Sequence, residues 1–295
     1  MTVCYRVHGV TVAGPPGLPL MPGGGAATLI IGSSWAARGA ADAVAAGRRG
    51  FDFDRVSGPS VATAMRVPGV GDFLVRGGSE ILTDPSAQER PGYRLYLLGG
   101  ALGMALHQKG ALVLHAGAVA GPAGAVLLLG DRGAGKSTLA VAVEQRGAEV
   151  LSDDVVALWP LDGGRLVHAG PREAKLCRDA AIRLGRNDGA AVGGDVEKRY
   201  AALAATAPTH GLAEILTLGW GEGPHALPLR GRAALETLLR HTYRPRYLEL
   251  LGSRATHFRA VTGLAGRIAM ATLLRPRDIA RLSEIADFLA RRLGL

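Results

Sequence analysis

Apolar positions are densest between residues 93 and 159, where they fall into blocks bounded by glycine. Tyr93–Lys109 is apolar with few breakers, a pattern that predicts a helix packed against a core and stopped by Gly110. Ala111–Val119 and Ala125–Leu129 are short apolar runs of strand length on either side of Gly121–Gly124, and they predict an antiparallel hairpin. A helix follows from Lys136 to near Gly147, then a strand at Glu149–Leu151. Ser152-Asp153-Asp154 interrupts the apolar run, which resumes over Val155–Trp159. Asp162-Gly163-Gly164 signals a turn.

Beyond this block the pattern is sparser. Residues 165–182 are mixed, Gly185–Gly194 reads as a glycine-rich loop, and Asp195–Arg199 reads as a charged helix start. Glu214–Thr217 predicts a strand, and Ala233–Leu239, Val261–Leu274 and Leu282–Leu293 predict helices, the last set off by Pro276-Arg277-Asp278. Towards the amino terminus, residues 1–14 alternate weakly, Pro15–Gly25 reads as a loop, Ala27–Ile31 as a strand, Ala36–Ala45 as a short helix and Phe73–Val75 as a strand. Residues 57–70 carry little signal. The reading is an α/β protein with a smaller, strand-containing region at 1–90, a candidate for substrate binding, and a larger domain at 91–295.

With 295 residues and 48% apolar composition, the chain can bury a sizeable core. Its 5% aromatic content and 43 glycines make that core chiefly Ala, Leu and Val, with few rings for base stacking. The net charge of +9, from 34 basic and 25 acidic residues, favours anionic partners. The arginines are spread along the chain without a dense basic tract, zinc-finger spacing or aromatic-basic repeat, so no nucleic acid is expected. Cys4 and Cys177 lie far apart and fit reduced thiols. The first residues lack a basic segment followed by an apolar signal core, and no window approaches the ~20 apolar residues of a membrane span. A cytoplasmic protein with no membrane span is expected.

The chemistry is concentrated at Gly130-Asp131-Arg132-Gly133-Ala134-Gly135-Lys136-Ser137, a complete phosphate-binding loop between a predicted strand and a predicted helix. In such a loop, backbone N–H groups at a helix start cradle phosphate oxygens, and glycines permit the close approach. Lys136 is expected at the β- and γ-phosphates of ATP. Ser137 is expected to offer its hydroxyl to Mg2+, and Thr138 to contact the α-phosphate side. Asp153 and Asp154 follow after one helix and one strand, a path that returns the chain to the sheet near the phosphates. Adjacent side chains on a strand point in opposite directions, so the two acids need separate roles unless the strand bends there. One can hold magnesium and the other can take a proton. His115, followed by small residues, is a further candidate. Arg172, Glu173 and Lys175, after a Gly-Pro turn, either line a substrate entrance or form polar surface. His210, His225, His241 and His257 lack ligand spacing and read as structural or solvent-facing. Met104 reads as a packing residue.

His115-Ala116-Gly117, the loop 130–137, Arg146-Gly147 and Asp153-Asp154 together resemble the catalytic core of bacterial HPr kinase/phosphorylase, over about residues 111–157. The resemblance implies a mixed sheet with flanking helices, related to phosphoenolpyruvate carboxykinase. It also implies Asp153 as general base, Asp154 assisting magnesium, and His115 near the γ-phosphate. The chain departs from the family at Ala116, Arg132 and Thr138 and lacks its Glu-Ile-Arg-Gly segment. It looks closer to divergent relatives found with ribosomally made peptides, some of which resemble lasso-peptide precursor serine kinases. In these a Lys-Arg pair follows a Gly-rich loop, as Lys198-Arg199 do here. The pair is then expected to hold phosphate or an acidic peptide, with Arg199 aiding the transfer. A charged solvated face is the alternative.

The function expected is transfer of the γ-phosphoryl group of ATP to a hydroxyl of a peptide or small protein. An ATPase, a small-molecule kinase and a nucleotide-sensing partner protein without transfer are the competing readings. The parent family forms hexamers, which leaves homo-oligomerisation open.

Overall fold

The structure, a computed structural model, describes residues 2–45, 52–56, 62–193 and 196–295. Three sheets and their flanking helices form a mixed α/β architecture, as the apolar pattern predicts.

The first sheet is built from the amino-terminal region. Its strands run in the order Met21–Pro22, Val3–Val7, Val10–Gly14, Leu29–Ser33, Glu80–Thr83, Gly71–Arg76, Ala62–Val67 and Asp52–Val56. Val10–Gly14, Leu29–Ser33 and Glu80–Thr83 lie parallel, and the other pairs are antiparallel. The helix Ala36–Ala45 packs on this sheet. The stretch 57–70 carries little sequence signal. Its residues 57–61 lie outside the described ones, and Ala62–Val67 is a strand.

The second sheet runs Glu149–Ser152, Leu112–Gly121, Gly124–Leu129, Thr209–Trp220, Ala269–Arg275 and His225–Pro228. The predicted hairpin is its centre. From there Gly124–Leu129, Thr209–Trp220 and Ala269–Arg275 run parallel. Alternate residues of Gly124–Leu129 serve opposite faces, as the period of a strand requires. Val126 and Leu128 pack with Leu139, Val143 and Leu289, under the helices Lys136–Glu144 and Leu282–Arg292. Leu127 and Leu129 pack with Ala234, Leu238 and Leu264, under the helices Gly231–Arg240 and Arg254–Ala265. With both faces covered, the strand is continuously apolar.

The same principle overturns one expectation. Val261–Leu274 is not a single helix: a helix ends at Ala265 and a strand occupies Ala269–Arg275. A strand with apolar residues on both faces loses its alternation and merges with the preceding helical pattern. A second correction concerns 185–199. Ala191–Gly193 is a strand within the expected loop, and Val196–Ala202 is a strand where a charged helix start was expected; Asp195 lies outside the described residues. With Glu173–Cys177 these strands make the third sheet, which packs Ala174, Leu176 and Ala201 against Leu139 and Val143.

The segment Tyr93–Gln108 joins the two large sheets. It is α-helical at Tyr93–Leu95, π-helical at Tyr96–Ala101 and α-helical again at Leu102–Gln108. Its Leu97, Leu102 and Leu106 share one buried cluster with Phe73 and Ile81 of the first sheet and with Val113 and Val155 of the second. Met104 is buried there, as its place in the pattern predicts. No described helix is long and apolar enough to cross a membrane.

Candidate functional site

A cavity of about 660 Å³ opens where the glycine-rich loop leaves Gly124–Leu129. Gly133 and Gly135 take φ values of +83° and +82°, a left-handed conformation that residues with a Cβ rarely adopt. These two turns let the loop wrap back, with Ala134 N–H donating to Asp131 O at 3.0 Å, before the helix starts at Lys136. Free N–H groups at such a helix start suit an anion. Gly130, Asp131, Arg132, Gly133, Gly135, Lys136, Ser137 and Thr138 all line the cavity. Ala134 does not line it; its carbonyl accepts a hydrogen bond from the Arg275 guanidinium. Asp131 pairs with Arg240 at the exposed rim.

Lys136 is only 6% exposed. Its Nζ donates to Gly130 O at 2.6 Å and lies 3.1 Å from His115 Nε2. Burial lowers its pKa, and Asp154 and Asp153 oppose that shift. The other ring nitrogen of His115 sits 3.0 Å from Asp154 Oδ1. Asp154 Oδ2 in turn accepts from Lys175 Nζ at 2.9 Å. Lys136, His115, Asp154 and Lys175 thus form one chain of polar contacts. Burial raises the Asp154 carboxyl, but Lys175 and His115 outweigh it and hold the group well below the usual carboxylate range. Burial likewise works against the Lys175 ammonium, and Asp154 and Asp153 outweigh it to raise its pKa.

Both acids line the cavity, which regular alternation forbids. The backbone explains it. Val150 pairs with Val119 and Ser152 with Ala118, so Leu151 is an extra residue, a β-bulge. Pairing with the same strand resumes at Val155 opposite His115. Ser152 Oγ closes the intervening bend by donating to Val155 O at 2.6 Å. Asp153 is 5% exposed. Its Oδ2 accepts from the backbone N–H of Lys175 at 2.8 Å. Its Oδ1 is buried and has no hydrogen-bond partner among the described residues. One carboxylate oxygen is therefore left for a proton or a cation. The described residues contain no cluster of three or more His, Cys, Asp or Glu able to hold a metal by themselves. Ser137 and the two acids around one cavity still fit Mg2+, which takes few protein ligands and keeps water and phosphate oxygens.

The structure separates the Lys-Arg pair. Lys198 lines the cavity. Arg199, the next residue on a strand, faces away and donates to Gly189 O. The catalytic place expected for Arg199 is corrected on that ground. Of the 172–175 group, Lys175 lines the cavity and Glu173 a neighbouring recess, while Arg172 lines neither.

Sequence reasoning also missed Arg240–Arg244. His241 was expected to be structural or solvent-facing, yet it lines the cavity and is buried. Burial pushes its pKa down to about 4, with Asp131 opposing and Lys136 and His115 assisting. The segment is held against the strand Leu112–Gly121 by His115 N–H to His241 O at 2.7 Å and Tyr243 N–H to Val113 O at 2.9 Å. Arg244 has φ +45°, a strained conformation for a residue other than glycine, and lines the same cavity. Of the remaining histidines, His257 is buried against Thr242, His210 pairs with Glu149 and His225 is exposed.

No family model matches the chain, and no curated protein matches it. Among solved structures the chain is similar to the Hpr(Ser) kinase/phosphatase from Coxiella burnetii, with a TM-score of 0.34 and 14% identity, covering 62% of this chain and 88% of that one.

Proposed function

We propose that this chain is a phosphotransferase that moves the γ-phosphoryl group of ATP to a hydroxyl of a peptide or small protein. A serine of a ribosomally made precursor peptide, of the lasso type, is the acceptor favoured by the sequence resemblance. The observation that carries the reading is Asp153: a buried carboxylate with one oxygen unpartnered, in the same cavity as the glycine-rich loop and Lys136.

The residues divide the work as follows. The loop Gly130–Thr138 binds the phosphates through backbone N–H groups and Lys136. Asp153 takes the proton of the attacking hydroxyl through Oδ1. Asp154 and His115 hold Lys136 on the side of the γ-phosphate, and Lys175 fixes Asp154. Lys198 adds positive charge at the rim. Ser137 and Asp154, the latter through water, would hold Mg2+, which neutralises phosphate charge when bound. Positioning and electrostatics supply the acceleration.

Incubation with γ-labelled ATP and candidate precursor peptides tests the reading. Asp153→Asn is expected to lower transfer by about a thousandfold, within the range for loss of a general base, while ATP affinity stays within a few-fold. Unchanged turnover in that variant refutes the assignment.

A further inference from the structure

Trp220 ends the strand Thr209–Trp220, and Arg275, its pairing partner, ends Ala269–Arg275. Thr209–Trp220 lies directly beside the strand that feeds the glycine-rich loop, and Ala269–Arg275 is its next neighbour. Leu216 and Leu273 share a buried cluster with Leu139 and Val143 of the loop's helix. Alternation puts Trp220 and Arg275 on that same face, at its open end. The Arg275 guanidinium stacks 4.3 Å from the indole centroid and donates to Ala134 O inside the loop. A Cβ on Gly135 would lie 3.6 Å from Arg275 Nη2. One guanidinium therefore bridges the indole and the loop.

Three features of this corner are left unsatisfied by the fold. Trp220 is 48% exposed, although tryptophan is on average well buried. Arg275 is buried, makes no ion pair, and its Nε has no hydrogen-bond partner among the described residues. Arg277 stands 5.6 Å from the same ring and has no carboxylate partner among the described residues either. An open indole beside two unpaired guanidinium groups suits a ligand with a flat π-face and negative charge.

The position fits one end of a nucleotide. Lys136 Nζ and His115 Nε2 mark the γ-phosphate end in the reading above. His115 lies on the strand to one side of Gly124–Leu129, and Trp220 on the strand to the other. Leu129 pairs with Ala116 and with Thr217, so His115 stands one residue past that level and Trp220 three. Two strand spacings and two residues of rise separate their backbones by about 12 Å, comparable to the reach from the terminal phosphate of an extended nucleoside triphosphate to its base.

We infer that the open indole of Trp220 is the base subsite of the bound nucleoside triphosphate, and that it takes a purine in preference to a pyrimidine. The inference rests on nucleotide binding in the reading above and not on transfer. A purine lays two fused rings on the indole and a pyrimidine one, so stacking favours the purine. Stacking reads the ring face and not its edge, so adenine and guanine are both accepted. Arg275 ties the platform to the loop, and with Arg277 it adds positive charge towards the phosphates.

The test uses the full chain and isothermal titration calorimetry with ATP, GTP, CTP and inorganic tripolyphosphate. The wild type is expected to bind ATP and GTP within about threefold of each other and about tenfold more tightly than CTP. Trp220→Ala is expected to lose about tenfold for ATP and GTP, within the range for removing a stacked aromatic, and under about twofold for tripolyphosphate. Trp220→Phe, which keeps a ring, should fall between. Tryptophan emission reads the contact directly: ATP should quench it in the wild type, tripolyphosphate should not, and the quench should be lost in Trp220→Phe. Equal affinity for ATP and CTP, a more than about tenfold preference between ATP and GTP, or an ATP affinity unchanged in Trp220→Ala overturns the inference and leaves the loop as a phosphate site. An equal loss for tripolyphosphate in Trp220→Ala makes Trp220 a support of the loop and overturns it too. If tripolyphosphate binds and ATP does not, the base subsite falls and the anion site stands; if neither binds, the nucleotide reading falls and the subsite with it. A chain that binds purines in this way yet labels no acceptor keeps the subsite and loses the phosphotransferase reading.

Discussion

Lys175→Met isolates the ammonium that links the third sheet to the acid pair. The substitution keeps a long apolar stem and the backbone N–H that donates to Asp153 Oδ2 at 2.8 Å, and it removes only the partner of Asp154 at 2.9 Å. Removing one member of a fully buried pair costs about 3–5 kcal/mol. Here the side chains retain 18% and 27% exposure, and His115 still holds Asp154, so about 2 kcal/mol is expected. For a chain of 295 residues that is a fall of roughly 3 °C in Tm. The pH dependence gives the sharper readout. Asp154 has a folded pKa below its unfolded one, so its contribution is complete above about pH 4 and is lost as pH falls through the folded value. Lys175 has a raised folded pKa, so its contribution persists below about pH 10. The stability difference between wild type and variant should be flat from about pH 5 to 9 and shrink towards pH 3. Urea unfolding across that range measures it. A difference under about 0.5 kcal/mol at pH 7, the size of an ordinary surface change, or one that stays constant down to pH 3, refutes the reasoning.

Three further outcomes are expected. His8, in the turn of the first hairpin, is fully buried with neither ring nitrogen partnered among the described residues, and burial with His168 nearby lowers its pKa to about 3. Its unfolded form binds the proton first, so stability is intact above about pH 6.5 and drops by about 2 kcal/mol at pH 5; His8 sits at φ +51°, a left-handed conformation that asparagine tolerates, and His8→Asn should show a shallower decline in urea titrations at the two pH values. Cys177 is exposed and lines the main cavity, so saturating ATP should slow its alkylation at least about fivefold, an occupancy effect, with mass spectrometry following the adduct. Arg275 is 7% exposed, donates to Ala134 O and stacks 4.3 Å from Trp220; Arg275→Met should weaken ATP binding about tenfold by freeing the loop, the equivalent of one charged hydrogen bond, and calorimetry showing unchanged affinity would remove it from that role.

The stretch from Leu112 to Leu158 was legible because its signals are local. Each strand is short and apolar, each break is a glycine or an acid pair, and the loop between strand and helix carries its own spacing. Even there, the sequence left open whether the acids diverge, since the bulge at Leu151 is a property of pairing with a partner strand. Arg240–Arg244 was illegible for a different reason. A bridge between Leu114 and Thr242 brings that segment to the cavity, across more than a hundred residues of chain. Lys175 depends likewise on a separate sheet packing on the helix Lys136–Glu144. Arg199 shows the reverse error: two adjacent cations were read as a unit, and the strand they occupy turns them apart.

The segment Tyr93–Gln108 answers to two neighbours at once. Its apolar side chains are held by the first sheet, while Leu95 and Tyr96 form part of the cavity wall and Leu98 part of the recess. Cutting the chain at residue 91 would strip Phe73 and Ile81 from Leu97 and Leu102 and leave an oily seam open to water. The first ninety residues are thus a brace for the half that carries the cavity as much as an appendage, and replacing them would succeed only where the replacement presents matching side chains to that helix.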